Sequence, residues 1–520
     1  MTTILITGAT DGIGLALAKI YSRRADHLIL VSRRPLSALT DPLFTVTNYC
    51  QADLADEHCT AELSAWLHQN DIRQIDLVIH NAGVGYVGAI AEQPPDKLRS
   101  LIQVNLWSPI ALSHMLFPLV ERVRGKFVYI TSVATAFPGP EYAVYTATKV
   151  ALEGFVRSWQ VELAADQNPV QLQIVRPGAT RTNMHAKSGA DPTKLRSDRF
   201  PTAEQIAARI VAAMEHPKRT TTIGMVNQVV YHAATIGARL VDSVMHYRQR
   251  QLITTKAHGM KADGAPHCVI TGAADGIGRA VTEALAVRGY RITGIDIDQE
   301  RSAALQQQLT EAGHDVHFIV ADLAALDKLP TLLEQLQARP PINLLIHNAG
   351  ISAVGAFHEC NLARQRAVLD VNFVTPFLLT SRLLQEQRMA SQATFVFISS
   401  LSHFTSYPGA AVYAATKAGV ASYARSLAVA VAPHQHVLTV YPGPTRTAHA
   451  RRYSPDNRRE MQRMAPTTLA AYLVSAIQSQ QRILIPGAMN WGAALLGQLL
   501  PTVAEQLMRR TIYDKLPRNR

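Results

Sequence analysis

Four cysteines in 520 residues are too few and too scattered for a disulfide framework. Cys50, Cys59, Cys268 and Cys360 form no C-x-x-C pair, and none has a histidine at metal-ligand spacing. Free thiols, a cytoplasmic location and no bound metal are therefore expected. Charge is also sparse: 17% Asp, Glu, Lys and Arg against 48% hydrophobic residues, the profile of a globular chain and not of a disordered one. The net charge of +12 comes from scattered Lys and Arg without a nucleic-acid motif, so no nucleic-acid partner is expected. No basic leader precedes the first apolar run, Ile4-Leu5-Ile6, and no secretory signal is expected. One stretch, Ile483–Ala504, has no formal charge, but Pro486, Asn490, Gln498 and Pro501 interrupt it. That pattern fits a buried strand followed by an amphipathic helix, with interfacial membrane contact as the alternative.

What the chain has, it has twice. Thr-Gly-Ala-Thr-Asp-Gly-Ile-Gly at residues 7–14 returns as Thr-Gly-Ala-Ala-Asp-Gly-Ile-Gly at 271–278. Asp-Leu, Asn-Ala-Gly, a lone Asn, Ser, Tyr-x-x-x-Lys and Pro-Gly follow in the same order in each copy. The offset is 264 from Gly8 to Gly272, 267 from Asn81 to Asn348, 268 from Tyr145 to Tyr413 and 265 from Pro177 to Pro442. Two domains follow, at residues 1–247 and 266–520, joined by a polar linker at 248–265.

In each half, apolar runs alternate with helical patterns. The runs are Ile4–Thr7, Leu28–Ser32, Leu77–His80, Lys126–Thr131, Gln171–Arg176 and Thr221–Gly224, then His267–Thr271, Arg291–Asp296, His317–Ala321, Asn343–His347, Thr394–Ser399 and Val437–Tyr441. They are apolar throughout, which marks strands covered on both faces. The fold class is α/β: two tandem Rossmann-like domains, each a doubly wound parallel sheet.

The Gly-rich turns sit between a strand and a helix, where glycines admit a pyrophosphate to the backbone and the helix N-terminus attracts it. Gly8, Thr10, Asp11, Gly12, Ile13 and Gly14 form the first turn; Gly272, Asp275, Gly276, Ile277 and Gly278 form the second. A carboxylate at the end of the next strand suits a ribose diol, and an Arg suits a 2′-phosphate. The first half offers Ser32-Arg33-Arg34 there and the second offers Asp296. NADP(H) is expected in the first half and NAD(H) in the second.

Tyr and Lys four apart share a helix face, and Tyr145 with Lys149, and Tyr413 with Lys417, meet that spacing. A nearby ammonium is expected to lower the phenol pKa toward neutrality and make it a proton donor or acceptor. Ser132 and Ser400, each 13 residues upstream, could hydrogen-bond a carbonyl oxygen and share its developing charge.

With these motifs in order, each half resembles a classical short-chain dehydrogenase/reductase over nearly its whole length. The resemblance implies an NAD- or NADP-dependent oxidoreductase interconverting a ketone and a secondary alcohol. It assigns Asn105 and Asn372 to a water-holding place in the proton relay. It gives Asp53-Leu54 and Asp322-Leu323 to the adenine, and Asn81-Ala82-Gly83 and Asn348-Ala349-Gly350 to the cofactor pocket. Thr182 and Thr447, after Pro177-Gly178 and Pro442-Gly443, are given to the nicotinamide carboxamide. His80 and His347 read as structural, Arg181 and Arg446 as loop residues. The basic stretch Arg451–Arg463 reads as solvated surface, with a phosphate-bearing substrate as the alternative. The family also implies dimerisation through long helices, hence an intramolecular pseudo-dimer or a homodimer. The substrate is expected to be a small, apolar ketone or alcohol. Three readings stand at this point: two working sites, coupled or not; one working site beside a structural nucleotide-binding module; and a ketone reductase acting on lipid or acyl thioester at a membrane surface.

Overall fold

The computed structural model describes residues 2–24, 27–189, 197–216, 218–238, 241–245, 247 and 264–517. Most of the expected linker, residues 248–263, lies outside them, as do residues 190–196 of the stretch after the first Pro-Gly. The chain divides into two compact units, Met1–Gly88 with Asp96–Val241, and Ala89–Pro95 with Asp242–Arg520.

Each unit is built on one seven-stranded parallel sheet. In the first unit the strands are β1 (Thr3–Thr7), β2 (His27–Ser32), β3 (Tyr49–Gln51), β4 (Leu77–His80), β5 (Lys126–Ile130), β6 (Gln171–Arg176) and β7 (Thr220–Thr222). Their order across the sheet is β3-β2-β1-β4-β5-β6-β7. In the second unit β8 (His267–Thr271), β9 (Arg291–Asp296), β10 (Val316–Val320), β11 (Ile342–His347), β12 (Met389–Ile398), β13 (His436–Val440) and β14 (Ile483–Leu484) repeat that order as β10-β9-β8-β11-β12-β13-β14. The order reverses between β1 and β4, and between β8 and β11, the crevice where doubly wound sheets bind ligands at the strands' carboxyl ends.

The central strands are wholly buried because helices cover both faces: Leu5, Ile6, Ile29, Val78 and Phe127 in one sheet and Val269, Ile270, Leu345, Val396 and Phe397 in the other. The long helices Ala143–Ala165 and Ala411–Ala430 carry the Tyr-x-x-x-Lys motifs. Their small residues Ala147, Ala151, Ala414, Ala415 and Ala418 are buried, which lets the helices lie close against their sheets. Among the described residues, the one helical run long and apolar enough to cross a membrane is Leu362–Gln385, and the apolar stretch is 83% buried within the fold.

Candidate active site

The Gly-rich turns close over the next motif in the chain. Gly8 has φ +68°, and a side chain there would put Cβ 2.8 Å from the Ala82 Cα; Gly272, at φ +64°, would meet the Ala349 Cα at 2.9 Å. A Cβ on Gly14 or Gly278 would overlap the carbonyl oxygen of Gly8 or Gly272. Glycine is required by contact as well as by dihedral. Asn81 ties the crossing together: its Nδ2 donates to the carbonyl oxygens of Thr7 (3.0 Å) and Gly8 (3.3 Å). Asn348 does the same to Thr271 (3.1 Å) and Gly272 (2.9 Å). Asp11 caps the helix Gly12–Ser22 by accepting from the Gly12 N–H (2.8 Å), and its carboxylate also takes the Lys187 ammonium. Burial would raise that carboxyl, but Lys187 and the Gly12 N–H hold it below its ordinary value. Asp275 meets Arg301 instead, at 3.2 Å. Ile13 and Ile277 pack sideways onto the cores.

Thr182 and Thr447 come across from the Pro-Gly loops to Gly12 and Gly276, within 3.0 and 3.1 Å of where a Cβ would stand. Pro177 and Pro442 accept from the Val133 and Leu401 N–H groups, each at 3.1 Å, so each Pro-Gly loop is held beside its Ser. Asp53 and Asp322 turn on the N–H groups of Ala55 (3.0 Å) and Ala324 (2.8 Å). The Leu54 and Leu323 carbonyls accept from Ser108 (2.7 Å) and Thr375 (2.6 Å).

The strand ends differ between the halves as the sequence indicates. Asp296 stands at the end of β9, and its carboxylate accepts from the Ala274 N–H (2.9 Å) inside the Gly-rich turn and from Asp298 N–H (3.1 Å). Ser32 holds the same place at the end of β2, offset by 264, and its hydroxyl shares a hydrogen bond of 2.8 Å with Thr10. Arg33, the next residue, is exposed.

The structure brings the Ser, Tyr, Lys and Asn of each half together. Ser132 and Ser400 are hydrogen-bonded to the phenols of Tyr145 and Tyr413. Lys149 Nζ donates to the Ile130 carbonyl (3.0 Å), and Lys417 Nζ to that of Ile398 (2.9 Å). A side chain at Gly83 would stand 3.4 Å from Lys149 Nζ and 3.5 Å from Asn105 Oδ1, and one at Gly350 3.3 and 3.5 Å from Lys417 and Asn372. The N-A-G glycine therefore keeps clear the space beside the ammonium. Asn105 and Asn372 lie within single π turns, Gln103–Trp107 and Asp370–Val374. Each bonds both backbone groups of a residue beyond the N-A-G: Asn105 with Val84 (both 2.9 Å), Asn372 with Ile351 (2.8 and 2.9 Å). Each also donates to a threonine of the Tyr-Lys helix, Thr148 (3.3 Å) or Thr416 (3.2 Å).

One expectation is overturned. The phenols are not drawn toward neutrality: burial pushes Tyr145 and Tyr413 up to about 12, against the lowering effect of the Ser hydroxyl. Burial likewise lowers Lys149 and Lys417 to about 8. In this protein environment burial sets the direction of the shift, and the Tyr is held as a neutral acid.

The polar surroundings also separate the halves, and the sequence alone did not disclose this. Glu153, one turn beyond Lys149, is buried and accepts from Thr131 (2.9 Å), Thr135 (3.3 Å) and the Arg176 Nε (2.8 Å). Burial favours its neutral form, but Arg176 holds its carboxyl below the ordinary value. The Arg176 guanidinium in turn lies over the Tyr231 ring at 4.3 Å. Ala421 and Tyr441 occupy the Glu153 and Arg176 positions in the second half, where they pack with Ile485, Ala494, Leu401 and Phe404. A residue-by-residue overlay of the two repeats would have exposed Glu153. It would also have exposed Asn227 and Asn490, which fill the space beside Gly178 and Gly443.

His80 and His347 bond Ser113 (3.0 Å) and Thr380 (2.8 Å) and are lowered to about 3 by burial, so they stay neutral. Arg181 donates to the carbonyl oxygens of Asp198 and Phe200, and the Arg446 N–H to that of Met464 (2.9 Å), as loop residues do. Within Arg451–Arg463, Arg451 pairs with Glu460 and Arg458 with Asp456, both at 2.9 Å.

This arrangement defines a class. The family model described as short chain dehydrogenase matches the chain twice, over residues 2–193 and 266–458, and the protein belongs to that family, as a tandem duplication. It is an NAD(P)-dependent oxidoreductase. Among its relatives is the dehydrogenase/reductase SDR family member 7B of Bos taurus, 28% identical over 268 residues, which are 48% of this chain and 81% of that protein. The sepiapterin reductase of Chlorobaculum tepidum is 32% identical over 237 residues, 42% of this chain and 91% of the other. An N-terminal ketoreductase from a macrolactin assembly line shares the fold over 93% of this chain and 86% of its own, with a TM-score of 0.58 at 14% identity.

Proposed function

We propose that both halves are working sites that interconvert a ketone and a secondary alcohol, the first with NADP(H) and the second with NAD(H). What carries this reading is that each half assembles a complete Ser, Tyr, Lys and Asn group while the strand ends differ, Ser32-Arg33 against Asp296. The glycine cradles at Gly8–Gly14 and Gly272–Gly278, narrowed by Ala82 and Ala349, fit a dinucleotide whose phosphates approach the backbone. When bound, the dinucleotide supplies or takes the hydride. The chain's own residues move the compensating proton: the Tyr145 or Tyr413 hydroxyl gives it to the carbonyl oxygen, or takes it back from the alcohol. Ser132 and Ser400 hydrogen-bond that oxygen, and Lys149 and Lys417 place a positive charge beside the phenol. Asn105 and Asn372 fix the N-A-G loops against the Tyr-Lys helices. Residues 1–247 and 266–520 would act as separate catalytic domains on small apolar substrates, one reducing and one oxidising.

The test uses single Tyr145→Phe and Tyr413→Phe variants of the full chain, assayed with each dinucleotide against a panel of apolar ketones and secondary alcohols. Loss of the NADPH-linked reaction in the first variant alone and of the NAD-linked reaction in the second alone supports the reading. A variant that loses neither reaction makes its half a nucleotide-binding module without chemistry.

A further inference from the structure

Two helices follow β14, Ala488–Leu499 and Pro501–Thr511. Their inner side rests on the active-site frame: Ala494 is buried against Tyr441, Gly497 packs on the Phe404 carbonyl, and Asn490 fills the space beside Gly443. Their outer side is different in kind. Met489 is 88% exposed, Leu499 63%, Leu495 and Leu500 54% each, Leu507 51%, Val503 48% and Trp491 46%. Seven large apolar side chains left in water on one side of two adjoining helices mark a surface meant to be covered.

The charge around this face says by what. Residues Ile483–Ala504 carry no formal charge, and the first acid beyond them, Glu505, is buried. Two exposed arginines bracket the face, Arg482 before it and Arg510 at its end. The first half repeats the design on Met225–Ile236, where Met225 (81%), Val226 (77%), Val229 (68%) and Ile236 (84%) are exposed. Between Glu215 and Asp242 there is no acid, while Lys218 and Arg219 are basic. Asp514, the acid at the end of the second-half face, is taken up by Arg509 at 3.3 Å, so pairing either face with its own copy about a twofold axis would set two rims with an excess of basic charge together. Apolar helices edged by arginine complement an anionic lipid surface instead.

We propose that the outer face of Ala488–Thr511 seats the protein on the surface of an anionic bilayer, and that the outer face of Met225–Ile236 is the corresponding contact of the first half. Each face backs onto the Pro-Gly loop of its own active site, so docking would bring that site to the boundary where apolar ketones and alcohols dissolve.

Flotation of the full chain with vesicles tests this, comparing phosphatidylcholine alone with phosphatidylcholine containing phosphatidylglycerol. The expected result is association with the anionic vesicles, weakened by salt. It should fall about tenfold or more in a Leu495→Glu/Leu499→Glu variant, and fall measurably in Val229→Glu, as a charge replaces buried apolar contact. These positions are exposed, so circular dichroism and dinucleotide binding should be unchanged in both variants. No association, or association indifferent to the substitutions, would overturn the proposal. So would a dimer that the same substitutions dissociate in the absence of lipid, which would make the face an interface between copies. None of these outcomes depends on whether either tyrosine is catalytic.

Discussion

At the scale of single residues, the site rests on buried groups whose charge is set by their surroundings. If each tyrosine is the proton donor proposed above, replacing Tyr145 or Tyr413 by Phe should cost its half about 100-fold or more in turnover, read with each dinucleotide in turn. Lys149 and Lys417, lowered to about 8 by burial, should lose their charge as pH rises past that value. Turnover should fall on the alkaline side there, and a pH–rate profile checks it. Because the folded lysines titrate below their unfolded value, their contribution to stability runs the other way and increases as pH rises above about 8. Glu153 changes stability in the same direction with pH, in a lower window. Its folded carboxyl is held below its ordinary value by Arg176, so the stability it adds is present above the unfolded carboxylate range and lost as pH falls through the folded one. Glu153→Gln leaves Arg176 buried without its partner and should destabilise the first unit by about 3–5 kcal/mol in a denaturant titration. The Ser, Tyr and Lys positions were legible because spacing and order carry them, while Asn105 and Asn372 followed only from the family resemblance. Glu153 was not legible, since a glutamate on a helix reads as surface until the fold places Arg176 and two threonines around it.

At the scale of elements, the tightest constraint is the crossing of the Gly-rich turn over the N-A-G loop. Gly14→Ala or Gly278→Ala drives a methyl into the carbonyl of Gly8 or Gly272, and should cost its unit about 1–3 kcal/mol or more and weaken dinucleotide binding. Calorimetry of each variant separates the two units, because the untouched half should retain its own ligand. The Asn105 and Asn372 π turns belong to this scale as well. A π turn shifts the register of a helix locally, and no apolar periodicity announces one. The strand pattern, by contrast, was nearly all readable, since two-sided burial leaves unbroken apolar runs. Tyr49–Gln51 escaped because Tyr49 and Cys50 stand between the polar Asn48 and Gln51 and make no apolar run. Met389–Ile398 begins earlier than its apolar stretch, with a register irregularity between the Ile342 and Leu344 pairings of its neighbour β11.

At the scale of the whole molecule, the duplication is the chain's dominant property, and near-constant motif offsets make it visible in the amino-acid sequence. What those offsets do not convey is how far the copies have diverged beneath a common frame. The buried Glu153–Arg176 pair faces an apolar cluster around Ala421 and Tyr441 at the matching positions, and Ser32 faces Asp296. The proposed cofactor split rests on the second difference, because a carboxylate bonded into the Gly-rich turn repels a 2′-phosphate while a serine beside two arginines does not. The measurement that tests the central claim is calorimetric titration of the full chain with NADPH and NADH, alone and in competition. Two sites per chain are expected, one selective for each dinucleotide, with Asp296→Ser relaxing the second toward NADPH. One site per chain, or two of identical preference, would contradict that claim.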